Sequence, residues 1–236
     1  MKALEAAKVV VRERFLECDA ALLAGSVVRG EETSTSDLDI VIFDSKVASS
    51  FRESFYAGEW PVEVFVHHWS SYREFFESDC ERGQPSMPRM VAEGQILKWD
   101  DRLEIVKNEA VDLLKEGPAP WSEETLLLKR YFLTDALDDF VGCTDRGEAL
   151  FIASKLAEQT SEFHLRMSGQ WSGASKWMAR SLRSYDATFA ERLIQCFDHF
   201  YKYGEKEGVV ELVDEVLHPY GGRLFEGFSI GKKKRR

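Results

Sequence analysis

Asp37 and Asp39 are separated by a single residue, Leu38, at the start of a stretch rich in β-branched and aromatic residues, 38–43. Such a stretch reads as a strand, and its period of two places both carboxylates on one face. Carboxylates held that close repel each other unless a hard cation lies between them. Mg²⁺ suits the position, because it prefers oxygen ligands, typically one or two carboxylates together with substrate phosphates. Upstream, Gly25-Ser26 follows a short apolar run, 20–24, that reads as a buried strand. A glycine there lets the backbone come close to a ligand, and free N–H groups with the Ser26 hydroxyl can hold phosphate oxygens. The residue types and their spacing therefore point to phosphate chemistry assisted by a divalent cation.

The elements that must position these residues follow from the pattern around them. Residues 3–18 read as an amphipathic helix carrying Leu4, Ala7, Val10, Val11 and Phe15 on its apolar face. A polar loop at 30–36 leads to the strand at 38–43, the spacing at 46–57 predicts a helix, and 61–67 alternates cleanly as a strand. In that strand Val62, Val64 and Val66 share one face, with Glu63, Phe65 and His67 on the other. A helix is expected near 102–115. The segment Gly117-Pro118-Ala119-Pro120 breaks any helix and marks a boundary between residues 1–116 and 121–231. Beyond it the periodicity is helical, at about 122–141, 146–168, 174–184, 186–203 and 207–217. The expected fold class is α+β: a mixed β-sheet with helices, followed by an α-helical bundle.

Composition narrows the field. Of 236 residues, 44% are hydrophobic, enough for a real core, and no apolar run approaches the length needed to span a bilayer. The formal net charge is −10, and a basic tail, 232–236, ends the chain. Without that tail 26 basic residues face 41 acidic ones, a net −15. A body this acidic repels phosphate backbones, which argues against a nucleic-acid partner and favours a cationic substrate. The four cysteines, Cys18, Cys80, Cys143 and Cys196, form no CxxC pair, and isolated thiols fit a reducing cytoplasm. The N-terminus lacks an apolar signal region, so a cytoplasmic protein with no membrane partner is the expectation.

The segment Ala24-Gly25-Ser26, ten residues, then Asp37-Leu38-Asp39-Ile40 resembles the nucleotidyltransferase superfamily that includes DNA polymerase beta and the aminoglycoside nucleotidyltransferases. Arg29-Gly30 resembles the same loop in the small-molecule enzymes. The resemblance covers about the first 115 residues and implies a nucleotidyltransferase fold. It also implies a third carboxylate from a later strand, and Glu63 is the candidate. The surrounding Gly58-Glu59-Trp60-Pro61-Val62-Glu63-Val64 looks like the matching strand of the kanamycin-type enzymes. Those enzymes carry a general base on the first long helix of the bundle, where Asp139 falls nearest. A phosphate-binding lysine is expected four residues later, but Cys143 stands there, which leaves Lys129, Lys155 or Lys176.

The resemblance thus implies Mg²⁺ held by Asp37, Asp39 and Glu63, with Asp139 as a further catalytic candidate. ATP or another nucleoside triphosphate would be the donor, bound by Gly25, Ser26, Arg29 and Ser36. The acceptor would be a hydroxyl of a small molecule, of the aminoglycoside kind, bound in the cleft between the halves. A homodimer is open. Other readings remain beside these. Arg29 could simply pair with Glu31 or Glu32, and Asp139 could be a solvated helix acid. His67 and His68, adjacent on a strand and so on opposite faces, read as structural. The same chemistry could modify a protein hydroxyl, as in nucleotidylylating antitoxins, or the fold could be a non-catalytic nucleotide-binding module.

Overall fold

The computed structural model describes residues 2–231, and the basic run 232–236 lies outside the described residues. The fold is α+β. The chain divides into two compact units, Met1–Gly117 and Pro118–Arg236.

The first unit is built on a sheet of β1 (Ala20–Ala24), β2 (Leu38–Phe43), β3 (Phe51–Ala57), β4 (Trp60–His67) and β5 (Gln95–Lys98). The strand order is β3-β4-β2-β1-β5. β2 and β4 run parallel, and the other neighbouring pairs are antiparallel. Both faces are covered. Helix α1 (Ala3–Arg14) lays Ala6, Ala7, Val10 and Val11 against Leu23, Ile40 and Val64 on one face. On the other face, α2 (Tyr72–Glu81), α3 (Ser86–Glu93) and α4 (Arg102–Glu116) pack Tyr72, Phe76, Val91 and Leu103 against Leu22, Val41 and Phe43. A strand covered on both sides has to be apolar along its whole length. β1 and β2 obey this, and Asp39 is the one charged residue inside β2.

Two elements depart from the expectations. The helix over 3–18 ends at Arg14, because the chain must turn to enter the sheet at Asp19, whose N–H bonds Phe43 O at 2.9 Å. The carbonyls freed by that turn, those of Leu16 and Cys18, accept from the Lys98 ammonium. The second departure is at 46–57, where a helix was expected and residues 51–57 form β3 instead. The hairpin turn explains it. Ala57 pairs with Trp60 across Gly58-Glu59, and Gly58 adopts φ +62°, the backbone that a two-residue hairpin turn needs at its first central position. β3 is an edge strand, and its exposed Arg52, Glu53 and Ser54 suit that place.

The second unit comprises α5 (Glu123–Gly142), α6 (Arg146–Met167), α7 (Lys176–Tyr185), α8 (Ala187–Tyr203) and α9 (Glu207–Leu217). Leu133, Leu137 and Phe140 on α5 recur at helical spacing and meet Leu156, Phe163, Phe197 and Leu212 in one core. The helices expected at 146–168 and 174–184 are α6 and α7. Ser122 caps α5 by accepting the Thr125 N–H at 3.1 Å. Ser122→Ala should lower stability by about 1 kcal/mol, read by urea unfolding of the helical signal. Among the described residues no helix is long and apolar enough to cross a membrane. All four cysteines are free.

Candidate functional site

The strand register brings the acidic residues together. β2 and β4 pair in parallel with Asp39 opposite Glu63, so both side chains project from the same face. Asp37, just before β2, joins them. One ligand atom from each of Asp37, Asp39 and Glu63 falls within 4.8 Å of the others, and all three residues are half-buried. On the other flank Asp39 stands opposite Ala24 of β1, whose small side chain is followed by Gly25. Gly25 has φ +79°, and a Cβ placed there would overlap Asp39 Oδ2. Only glycine lets the backbone turn this close to the carboxylate.

The electrostatics of this arrangement are unfavourable as they stand. Burial, and then the charges of Asp37 and Glu63, raise the Asp39 pKa to about 6. Three acidic groups at this spacing are well matched to a hard divalent cation, which would offset both the repulsion and the loss of water. Glu63 is oriented by β3: Arg52 pairs with its carboxylate, and the Ser54 hydroxyl donates to it at 3.3 Å. The strand assignment overturned at 51–57 thus supplies two partners of the site that a helix there would have hidden. The signal that could have found them was the turn at Gly58-Glu59, which makes 51–57 the natural partner of the next strand.

The loop between β1 and β2 is closed on itself. Ser26 Oγ donates to Ser36 Oγ at 3.1 Å, and the Thr33 N–H donates to Ser36 Oγ at 2.8 Å. The Arg29 and Glu31 N–H groups both reach Ser26 O, at 3.1 and 3.0 Å. These bonds hold Ser26 and Ser36 together at the mouth of the turn beside Asp39. Arg29 pairs with Glu31 at 3.1 Å, one of the two partners open to it from sequence, and with Glu93 on α3 at 3.0 Å. The second partner is 64 residues away and has no local sequence signature.

The remaining candidates lie in the second unit. Asp139 is exposed on α5, next to Asp138, which pairs with Arg223 at 2.9 Å. Of the candidate lysines, Lys129 is committed to Glu162 at 2.7 Å, while Lys155 and Lys176 lie on α6 and α7.

His67 continues the Glu63 face of β4 and is buried, and burial alone lowers its pKa to about 4. A histidine whose folded pKa is depressed contributes stability that is complete above its unfolded value near 6.5 and is lost as pH falls toward 4. Up to about 3 kcal/mol is at stake over that window. His67→Phe should reduce this acid sensitivity, measured as the difference in urea-unfolding free energy between pH 7 and pH 4.5.

No family model matches the chain, and no curated protein matches it. Among solved structures it is similar to one described as a nucleotidyltransferase-like protein from Exiguobacterium sibiricum. That likeness covers 92% of this chain and 74% of the other, at 12% identity and a TM-score of 0.47. At that identity and score, nothing about activity passes from one chain to the other.

Proposed function

We propose that this protein transfers a nucleoside monophosphate, AMP from ATP, to a hydroxyl of a small molecule and releases pyrophosphate. The observation that carries this reading is the half-buried cluster of Asp37, Asp39 and Glu63 beside the glycine turn at Gly25-Ser26. In the proposed role the three carboxylates hold Mg²⁺. When bound, the ion neutralises charge on the phosphates and polarises the α-phosphoryl group. The Ser26 hydroxyl and the turn amides bind oxygens of the departing pyrophosphate. Arg52 and Ser54 fix the Glu63 carboxylate, so that the trio keeps its spacing as charge shifts in the transition state. Glu63 takes the proton of the acceptor hydroxyl.

The test is thermal stability with ATP, GTP, CTP and UTP, each with and without Mg²⁺. A ligand that binds only the folded state raises the melting temperature by mass action, about 2.7 kcal/mol at a hundred times its dissociation constant. One nucleotide should give a Mg²⁺-dependent rise that disappears in Asp37→Asn. No rise with any nucleotide would sink the reading. Supplying α-labelled ATP separates acceptor classes: label on small molecules supports the proposal, and label on protein points to a protein-modifying enzyme.

A further inference from the structure

The face of β4 that carries Glu63 continues through Phe65 to His67, and a cavity of about 390 Å³ opens there. Its walls are Phe51, Phe65, Phe75, Met87 and Met90, with His67 among them. Phe51 and Phe75 leave 44% and 41% of their surface open. A volume of this order holds a small ligand, and walls of this kind suit a flat apolar body.

Five of the ten lining residues are polar: Ser50, Arg52, His67, Asp79 and Ser86. His67 is 3% exposed, lies edge-on to Phe75 with ring centroids 4.6 Å apart, and its Nδ1 has no hydrogen-bond partner among the described residues. The Nδ1 atom is closed off from solvent, so it is the ring, not this nitrogen, that His67 contributes to the cavity wall. The imidazole is neutral at pH 7 and offers one donor and one acceptor. Neither charged residue of the lining is uncommitted. Asp79 accepts the Met87 N–H at 2.6 Å and pairs with Arg82, and Arg52 pairs with Glu63 while lying over the Phe65 ring at 4.9 Å. A polycation would therefore find no free carboxylate here.

The strand order fixes the direction. Gly25-Ser26 ends β1, Asp37 and Asp39 stand at β2, and the cavity lies over β4, beginning two residues beyond Glu63 and sharing Arg52 with it, so turn and cavity lie on opposite lateral sides of β2. In-line displacement at phosphorus needs the nucleophile and the leaving group on opposite sides. With pyrophosphate at the turn, the nucleophile arrives from β4. We infer that this cavity holds the acceptor, and that the acceptor is a hydroxyl-bearing molecule with a flat aromatic or apolar body. The inference rests on the nucleotidyl-transfer reading. In the reaction the acceptor oxygen bonds to the α-phosphorus as the bridging oxygen–phosphorus bond to pyrophosphate breaks. Pyrophosphate leaves with the bonding electrons, and the hydroxyl proton passes to Glu63.

The five methionines make the test direct, since Met87 and Met90 line the cavity while Met167 and Met178 belong to the second unit. The full chain, labelled with ¹³C at the methionine methyls and assigned with Met→Leu variants, is titrated with tryptophol as an aromatic alcohol and with kanamycin as a polycationic polyol. Saturable shifts of the Met87 and Met90 signals with tryptophol, and none with kanamycin, are expected. Unmoved Met87 and Met90 signals, or shifts with kanamycin alone, overturn the inference. Displacement of tryptophol by ATP with Mg²⁺ overturns it too, because the cavity would then seat the donor's base. Asp37→Asn should lose the thermal response to ATP and keep the methyl shifts. A wild-type chain that takes tryptophol but never responds to ATP overturns nucleotidyl transfer, and the acceptor role with it. A chain that responds to ATP with still methyls overturns only the cavity.

Discussion

Asp39→Asn should give a protein that melts at a higher temperature in EDTA at pH 7 and yet releases pyrophosphate roughly a thousandfold more slowly or worse. Both effects have one cause. Burial and the neighbouring acids raise the folded pKa of Asp39 from its ordinary value of 3.8 to about 6. Between those values the folded state binds the proton more tightly than the unfolded chain does, so stability falls as pH rises through the window. Above about 6 the penalty is complete. Two pKa units set a ceiling near 3 kcal/mol, and the partial exposure of Asp39 lowers the working figure to the order of 1–2 kcal/mol. Asparagine has the same shape and no charge, so it removes the penalty. His67 titrates over nearly the same range with the opposite sign, so wild type alone would show a flattened profile. The difference between wild type and Asp39→Asn cancels the His67 contribution and isolates the carboxylate. Added Mg²⁺ should then stabilise wild type and leave the variant unchanged. A variant that melts lower in EDTA would mean that the carboxylate ties the strands together, and the electrostatic case for a cation would fall.

The same residue shows what the sequence can reveal. An aspartate in a strand that is otherwise Leu, Ile, Val and Phe contradicts the local pattern, and such contradictions collect where function outweighs stability. The pair Asp37 and Asp39, the turn before it and the strand carrying Glu63 are all local features, so they were legible. What was not legible depends on pairing between distant segments. The hairpin that makes 51–57 a strand overrode a helix-like spacing, and with it went Arg52 and Ser54 as partners of Glu63. The tie from Arg29 to Glu93 exists only because α3 packs near the loop. Net charge is a coarse guide for a different reason. It sums over the whole surface, whereas the cavity over β4 is lined by aromatic and thioether groups whose two charged neighbours are already neutralised.

Gly25→Ala should abolish the response to ATP with Mg²⁺, while Gly30→Ala should leave it intact. Both glycines adopt positive φ, +79° and +67°, so both variants carry the backbone cost of an L-residue there, about 1–2 kcal/mol. They differ in what the new methyl meets. At Gly30 nothing lies within 4 Å, whereas at Gly25 the methyl overlaps the carboxylate of Asp39. Asp39 must swing away or the turn must open, and either breaks the spacing of the three acidic groups. A loss of ten- to a hundredfold in nucleotide affinity is of the order seen when supports of a metal site are removed. Stability is the blunter readout, because a displaced Asp39 gains water and sheds part of its burial penalty, which offsets some of the strain. Affinity and pyrophosphate release have no such compensation. If the two alanine variants behaved alike, the glycine would be serving the turn alone, and the close approach of backbone to carboxylate would have no part in holding phosphate.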